Sequence, residues 1–420
     1  MTTQNPCLPS DRRLLTLPVT AALWISALIG VAGEPVAGDK LMLMHTMPWY
    51  ESAPVRGRWG GHWTGFDGRH DPEARDADGL PDIWSHFHPL IGPYDSTDPA
   101  LLECQLGQMK LAGVDGVVVD WYGVAEALDY PAIHAASVAL FAAASQWGLS
   151  FAVCYEDRIV GMMADRNLLP VSGAAVRVAA DLRWLDEHWF SSPTYATVGG
   201  RPILLNFGPI SVPDASVWRA ALDPLGRRPA FFALHHLWRQ AGADGGFTWI
   251  HWTPWEGSPD EAGVRSRLRE VFALPSDKPA EVIVSAWPGY QDVYGESRPT
   301  LDHAGGETLR ISLDEALASP AKVVQLVTWN DYGEGTMIEP THEFGYRFLE
   351  IVQAANRRRL GSAFRSTAAD LRLPARLYAA RKAGVAPIAT LDTVAQSIRS
   401  GDGATARAML DRIDHEPVVK

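Results

Sequence analysis

The chain has 420 residues, 47% hydrophobic and 20% charged, which is enough for one large globular domain or two ordinary ones. Its net charge of −12 argues against a nucleic-acid partner, because phosphate binding needs clustered lysine and arginine. The one basic run, Arg357–Arg359, is typical of a helix end. Neither Cys104 nor Cys154 has metal-ligand spacing with another cysteine or histidine. We expect both to be buried thiols, with one disulfide as the alternative.

Residues 1–38 have the features of a targeting segment. Two arginines, Arg12 and Arg13, precede the uncharged apolar stretch Leu14–Gly33, whose small terminal residues offer a signal-peptidase site. We expect cleavage and export to the periplasm or the extracellular space. The alternative is an uncleaved membrane anchor, because the stretch is about long enough to span a bilayer. Only in that case would a membrane be a partner.

After this segment, short apolar runs alternate with helix-like segments. The eight runs are Leu41–Thr46, Val114–Trp121, Leu149–Glu156, Pro202–Phe207, Ala230–His236, Phe247–Trp255, Val282–Trp287 and Val323–Trp329. The helix-like segments are Pro99–Ala112, Pro131–Trp147, Ala174–Trp189, Asp214–Leu225, Asp260–Phe272, Leu313–Ala318 and Glu343–Arg358. Such alternation predicts parallel βα units, and eight of them predict an α/β fold, a (β/α)₈ TIM barrel, over residues 39–360. The dinucleotide-binding version of an open doubly wound sheet is disfavoured, because no G-x-G-x-x-G follows an early run.

Two segments lie outside this alternation. Glu51–Asp98 is long and rich in aromatic residues and glycine, which predicts a folded flap over the barrel mouth with an exposed charged part at Asp67–Asp82. Residues 361–420 are rich in alanine, leucine and arginine with helical spacing, as in Leu373–Ala383 and Ile388–Arg399. They predict a small C-terminal helical extension packed on the barrel.

Polar and aromatic residues accumulate at the C-terminal ends of the predicted strands. In a TIM barrel these ends meet at the mouth that holds the active site. Flat aromatic faces with a polar tip suit sugar rings. We therefore expect substrate binding by Trp49, Tyr50, His62, Trp63, Asp120, Trp121, Tyr122, Glu156, Asn206, His236, Trp252, Trp287, Tyr290 and Trp329. A single histidine in such a set is more often structural. Asp120 and Glu156 are stronger candidates, because an acid at a barrel strand end has few structural duties.

The last run carries the strongest chemical signal. Val323–Thr328 is apolar and rich in β-branched residues, as in a strand buried on both faces. Asp331 and Glu334 follow it three residues apart, with glycines that permit a sharp turn and close approach of a ligand. These two carboxylates are our candidates for a catalytic pair that divides acid and base work. An ordinary loop with a capping aspartate is the alternative on spacing alone.

The segment WNDYGEGTMIEP, Trp329–Pro340, resembles the signature of known glycoside hydrolases. It is similar to family 99, the endo-α-mannosidases, whose pattern is Trp-Asn-Glu-Trp-His-Glu-Gly-Thr followed by Ile-Glu. The order Asn-Asp-Tyr-Gly-Glu is similar to family 71, the endo-α-1,3-glucanases. Three further segments, Met47–Ser52, His88–Pro99 and Gly113–Gly123, resemble the bacterial group related to both families. Glu156 falls where family 99 has a glutamate in its pocket.

The resemblance implies a barrel enzyme that cleaves α-linked mannan or glucan within the chain, without a cofactor. In family 99 the first glutamate of the signature is thought to deprotonate the sugar's 2-hydroxyl, which attacks the anomeric carbon, while the second is acid and then base. Carried over, Asp331 is the base and Glu334 the acid and base. Because Asp331 is one methylene shorter than the family's glutamate, an inverting route in which it activates water is also open.

Two other functions fit parts of the sequence. A non-catalytic carbohydrate-binding protein would keep the aromatic residues, and aspartate at position 331 keeps this alternative open. A metal-dependent hydrolase could draw ligands from His235, His236, His251 and Asp331, but no H-x-H or H-E-x-x-H spacing supports it. The leading expectation is an exported, monomeric, endo-acting glycoside hydrolase with an oligo- or polysaccharide substrate and no metal or other cofactor.

Overall fold

A computed structural model of the chain describes residues 40–170, 173–257, 260–275, 277–278, 281–295 and 299–415. The predicted targeting segment, residues 1–38, lies outside the described residues, so cleavage and export stay predictions.

Eight parallel strands close into a barrel. The strands in chain order are β1 (Leu41–Thr46), β2 (Gly116–Trp121), β3 (Ser150–Tyr155), β4 (Thr197–Val198), β5 (Arg201–Asn206), β6 (Ala230–Leu234), β7 (Gly245–Phe247), β8 (Ile283–Ala286) and β9 (Val323–Leu326). Strand β4 is a short antiparallel partner of β5 and takes no part in the closure. The other eight pair in sequence order, β3 pairs with β5, and β9 returns to β1 with Leu41 opposite Val323. The predicted TIM barrel is confirmed.

Helices surround the barrel and continue beyond its last strand. They are α1 (Ala53–Arg56), α2 (Gly61–Thr64), α3 (Pro99–Leu111), α4 (Tyr130–Trp147), α5 (Arg158–Asp165), α6 (Ala174–His188), α7 (Ala215–Leu222), α8 (Trp238–Ala241), α9 (Glu261–Ala273), α10 (Glu307–Ala318), α11 (Arg347–Leu360), α12 (Leu373–Ala383), α13 (Ile388–Arg399) and α14 (Gly403–His415). Within the described part of the chain, none of the helices combines the length and the apolar character that a bilayer crossing requires.

Most predicted strands and helices agree with the structure to within a few residues, but the run Phe247–Trp255 does not. Strand β7 ends at Phe247, and Thr253–Trp255 forms a short 3₁₀ helix, since Pro254 has no amide hydrogen for a strand ladder. The strand instead begins at Gly245, where a β-carbon would lie 2.1 Å from the Glu281 carbonyl oxygen. A glycine is therefore required where this strand passes its neighbour.

Side chains alternate between the barrel interior and the helical layer, as strand geometry requires. Val118 of β2 and Cys154 of β3 belong to the interior core. Trp121 points the other way and packs on Trp184 and Trp189, with ring centroids 5.7 and 5.8 Å apart. The next interior position on β2, Asp120, is therefore carried to the mouth, where it lines the cavity described below.

The C-terminal helices pack on the outside of the barrel. Helix α12 lies against α3, where Arg381 pairs with Glu103 and Lys382 with Asp98, the residue that caps the start of α3. Helix α11 ends at Leu360, and the division into barrel and extension at that residue stays a prediction. Cys104, in α3, and Cys154, in β3, are buried and free, so the expectation of two buried thiols is confirmed.

Candidate active site

A cavity of about 820 Å³ opens at the C-terminal ends of the strands. Its size suits a small-molecule or oligosaccharide ligand. Strand-end residues form the floor, helix α5 forms one wall, and the loop after β1 forms another through Trp59, His62 and Phe66. The predicted flap is therefore folded and borders the mouth, while residues 67–82 are largely exposed.

The loop that carries the two candidate catalytic acids is held by its own hydrogen bonds. The backbone N–H of Glu334 donates to Asp331 Oδ1 at 2.9 Å, and that of Asp331 donates to Thr328 Oγ1 at 2.8 Å. Thr328 and Thr336 close the base of the loop through a backbone bond of 2.9 Å. Both acids line the cavity. The short spacing between them thus produces a tight turn that presents two carboxyl groups to one space.

The same loop is fixed to the end of β1 through Asn330. Its Oδ1 accepts from the Met47 N–H at 2.8 Å, and its Nδ2 donates to the Met47 carbonyl at 3.0 Å. Tyr50 Oη donates to the Asn330 carbonyl at 2.7 Å and accepts from the Tyr332 N–H at 3.2 Å. The loop after β9 and the loop after β1 therefore behave as one rigid unit beneath the acids.

A buried glutamate supports this unit from behind. Glu339 is only 2% exposed and accepts hydrogen bonds from Tyr94 Oη (2.7 Å), Gln105 Nε2 (2.8 Å) and Tyr332 Oη (2.9 Å). Burial outweighs these bonds and raises the pKa of Glu339 from 4.5 to about 7. Tyr332 is thus oriented by the network and does not reach the cavity, although it follows Asp331 directly.

The cavity concentrates buried acids, which makes proton uptake favourable. Burial raises the pKa of Asp331 to about 6, although the N–H groups of Glu334 and Gly333 oppose the shift. Burial also raises the pKa values of Asp120 and Glu156, and Asp120 is raised further by the nearby Glu156 carboxylate. Arg158 lies 3.7 Å from Glu156 and partly offsets both shifts. Such an arrangement can hold and transfer protons near neutral pH.

Nine of the sixteen residues predicted for the site line this cavity. They are Trp49, His62, Asp120, Tyr122, Glu156, Trp252, Tyr290, Asp331 and Glu334. Trp49 and His62 stack with ring centroids 4.4 Å apart and an angle of 7°, which builds a flat platform on the wall. Burial lowers the pKa of His62 to about 3, so the imidazole is neutral at physiological pH.

The other seven predicted residues lie outside the lining; six of them are buried and His236 is exposed. They are Tyr50, Trp63, Trp121, Asn206, His236, Trp287 and Trp329. Trp63 packs on Tyr50 at 4.2 Å and donates to the Tyr94 carbonyl, so it forms the core of the flap. Trp287 is fully buried and packs on Trp255. A tryptophan at a strand end can face either the mouth or the helical layer, and the sequence does not show which.

The histidines considered as metal ligands form a separate group. His235 and His251 approach within 3.3 Å through their Nε2 atoms, and neither they nor His236 line the cavity that contains Asp331. Within the described residues, the ligand atoms that converge belong instead to His45, Asp120 and Cys154.

Helix α5 and its flanks contribute residues that the sequence analysis did not select. Arg158, Met162 and Arg166 line the cavity, as does Tyr294, whose hydroxyl lies against Gly333. Arg158 could have been found, because it directly follows Glu156 and Asp157 at a strand end. Tyr294 sits in a loop without a sequence signal.

Comparison with known proteins shows similarity to endo-α-mannosidase-like proteins. No protein-family model matches this sequence. A glycoprotein endo-alpha-1,2-mannosidase-like protein of Danio rerio is 24% identical over 299 residues, which cover 65% of this chain and 61% of that protein. Its human namesake is 24% identical over 336 residues, covering 73% of this chain and 65% of that protein. The chain thus spans less than two thirds of the length of the curated relatives it matches.

Solved structures show the same fold. The glycoside hydrolase family 99 endo-α-mannosidase of Bacteroides thetaiotaomicron superimposes with a TM-score of 0.56 and 19% identity, over 77% of this chain and 98% of that one. A protein described as glycoside hydrolase-like superimposes with a TM-score of 0.55 and 11% identity, over 78% and 96%. Together with the two sequence relatives, these comparisons confirm the resemblance to family 99 that the motif Trp329–Pro340 indicates.

Proposed function

We propose that this protein is an exported, endo-acting glycoside hydrolase that cleaves α-mannosidic linkages. The observation that carries the proposal is the placement of Asp331 and Glu334 on one rigid turn that faces a cavity at the C-terminal end of a TIM barrel. The names of the sequence relatives and of the similar family 99 structure support an α-mannoside as the substrate class.

The two acids have separate roles in this proposal. Asp331, with its pKa raised to about 6, is largely ionised at pH 7 yet basic enough to take a proton from the sugar's 2-hydroxyl or from water. Glu334 donates its proton to the glycosidic oxygen as the bond to the anomeric carbon breaks. The hydrogen bond from the Glu334 N–H to Asp331 Oδ1 fixes the two groups relative to each other. This preorganisation is what a divided acid and base pair requires.

The aromatic lining supports a sugar ligand. The Trp49 and His62 platform, Trp252 on another wall and Tyr122 beside Asp120 offer flat faces and polar edges around the acids. Because Trp49, Tyr122 and Trp252 come from loops after different strands, a bound glycan would contact several walls at once. That geometry suits a chain bound on both sides of the cleaved bond, which is the basis of the endo-acting proposal.

Glu334→Gln and Asp331→Asn, assayed on α-1,2-linked mannan oligosaccharides, test the proposal. The wild type should release new reducing ends as oligosaccharides, and each variant should lose activity by about 100-fold or more, because each removes one half of the proton transfer. Glycan binding, measured by calorimetry, should persist in Glu334→Gln. Binding without turnover in the wild type would instead establish the alternative of a non-catalytic carbohydrate-binding protein.

Export is a separate part of the proposal and has its own test. Expression of the full chain followed by N-terminal sequencing of the secreted protein should show a new start near the small residues after Leu14–Gly33. Retention of Met1 in a membrane fraction would show an uncleaved anchor instead.

A further inference from the structure

Three side chains with different ligand chemistry converge at the base of the cavity, two on its floor and one directly behind them. His45 is the penultimate residue of β1 and Asp120 that of β2. Cys154 lies next to Asp120 on β3, directly paired with it in register. One ligand atom from each residue lies within 4.8 Å of the other two. All three are buried, with exposed fractions of 1%, 3% and 0%.

The hydrogen bonds around His45 decide which of its nitrogens can bind a ligand. Gln325 Nε2 donates to Ser285 Oγ at 2.9 Å and to the Thr248 carbonyl at 3.2 Å, so its Oε1 is the atom that faces His45. His45 Nδ1 lies 3.3 Å from that oxygen and must therefore carry the hydrogen. The lone pair is then on Nε2. A histidine held by an outer carbonyl oxygen in this way is the usual arrangement of a metal-binding imidazole.

The other two groups have an unused ligand atom as well. No hydrogen bond or ion pair from any described residue reaches the Asp120 carboxyl group, although it is almost completely buried. Cys154 is a free thiol in the barrel interior. The Asp120 carboxyl group lines the cavity and is otherwise enclosed by protein, so a cation in the cavity can bind it without displacing a protein partner. The nearest cation, Arg158, is engaged with Glu156.

We propose that His45, Asp120 and Cys154 bind a zinc-class divalent cation at the floor of the cavity. In a tetrahedral zinc site the ligand atoms are roughly 3.3–3.5 Å apart, as follows from Zn–S of about 2.3 Å and Zn–N or Zn–O of about 2.0 Å. The ligand atoms of the three residues lie at most 4.8 Å apart in the structure. Small side-chain rotations would bring them to the spacing of a zinc site. A thiolate with an imidazole and a single carboxylate selects zinc over magnesium or calcium. Binding would release the thiol proton to solvent.

The site would keep one position open toward the substrate. His45 and Asp120 line the cavity, whereas Cys154 lies behind them in the interior core. A fourth ligand must then come from the cavity side, as a water molecule or a hydroxyl group of a bound sugar. This pattern, three protein ligands and one open position, is that of zinc sites that contact a substrate.

Metal content provides the test, with the second buried thiol as a matched control. Wild type and Cys104→Ser, purified without chelator and titrated with Zn²⁺, should each bind about one ion per chain, whereas Cys154→Ser should bind at least about tenfold more weakly. With Co²⁺, wild type and Cys104→Ser should show a thiolate-to-cobalt charge-transfer band that Cys154→Ser lacks. Should Cys154→Ser fail to fold, His45→Gln keeps the thiol and should weaken zinc binding to a similar extent.

Two results would overturn the proposal. One is a wild-type protein that binds neither Zn²⁺ nor Co²⁺. The other is equal metal binding by the wild type and the folded Cys154→Ser or His45→Gln variant, which would place the ion elsewhere. Both are measured without substrate, so the outcome does not depend on whether the protein hydrolyses α-mannosides.

Discussion

Replacement of the buried Glu339 by glutamine tests whether its carboxyl group titrates behind the loop that carries Asp331 and Glu334. Glu339 accepts bonds from two tyrosines and Gln105 in a water-excluded site. Glutamine keeps the size and one acceptor oxygen but cannot ionise. The variant therefore removes the titration of this site and leaves the packing intact.

The expected effect follows from the pKa of Glu339, which burial raises from 4.5 to about 7. Because the folded protein holds this proton more tightly than the unfolded chain, the stabilisation is complete below pH 4.5 and is lost as the pH rises through 7. A shift of this size corresponds to about 3 kcal/mol in the free energy of unfolding. As the pH rises from 5 to 8, the free energy of unfolding of the wild type should fall by about 2–3 kcal/mol relative to that of Glu339→Gln.

Urea unfolding followed by tryptophan fluorescence, at several pH values between 5 and 8, measures this difference. Asp331 and Glu156 titrate in both proteins, so their contributions cancel in the comparison. Glu270→Gln, on the exposed side of α9, is the control and should track the wild type. Parallel stability curves for the wild type and Glu339→Gln would show that Glu339 does not titrate in this range and would refute the reasoning.

Three further predictions concern the catalytic turn and the C-terminal helices. Since the pKa of Asp331 is raised to about 6 and the carboxylate is the reactive form, kcat/KM should fall about tenfold per pH unit below about pH 6. Gly333→Ala should lower kcat/KM by about tenfold, because the new β-carbon would lie 2.2 Å from the Tyr294 hydroxyl and displace that side chain from the cavity wall. Arg381→Met, which loses the pair with Glu103 (3.1 Å, Arg381 side chain 19% exposed), should lower the free energy of unfolding by about 1 kcal/mol without changing activity.

Each of these outcomes has a contrary result. If kcat/KM does not change between pH 4 and pH 7, Asp331 is not the catalytic base. Gly295→Ala, where a β-carbon meets no atom of the described residues within 4 Å, is the matched control for Gly333, and equal losses in both variants would show a general effect of alanine. A loss of activity in Arg381→Met would show that the packing of α12 influences the cavity.

The strands of the barrel could be predicted because a strand buried on both faces appears in the sequence as a short, mostly apolar run. The run Leu41–Thr46 begins with four apolar residues, and the structure places that strand at the same residues. The prediction was wrong where glycines replaced apolar side chains, as in β7, because close approach to Glu281 selects residues without a side chain. Helix α5 was missed because it is short and follows a strand end that already carried functional residues.

The placement of Asp331 and Glu334 at the cavity could be predicted, but the rest of the cavity lining only in part. The sequence places Asp120 and Trp121 together at a strand end, yet alternation sends the first to the cavity and the second into the helical layer. Residues that come from distant loops, such as Tyr294 against Gly333, depend on packing between segments that have no shared pattern. The convergence of His45, Asp120 and Cys154 likewise depends on the register of three strands, which no single motif records.

Proton NMR of the purified protein acting on α-1,2-mannan oligosaccharides tests the central claim most directly. The wild type should produce a new reducing-end anomeric proton signal at early times, from oligosaccharide products, and Glu334→Gln should produce none. If the α-anomer forms first, the configuration is retained and Asp331 acts on the sugar's 2-hydroxyl. If the β-anomer forms first, the configuration is inverted and Asp331 activates water. A wild type that produces no new anomeric signal, or a Glu334→Gln variant that produces it at the same rate, would contradict hydrolysis by this pair.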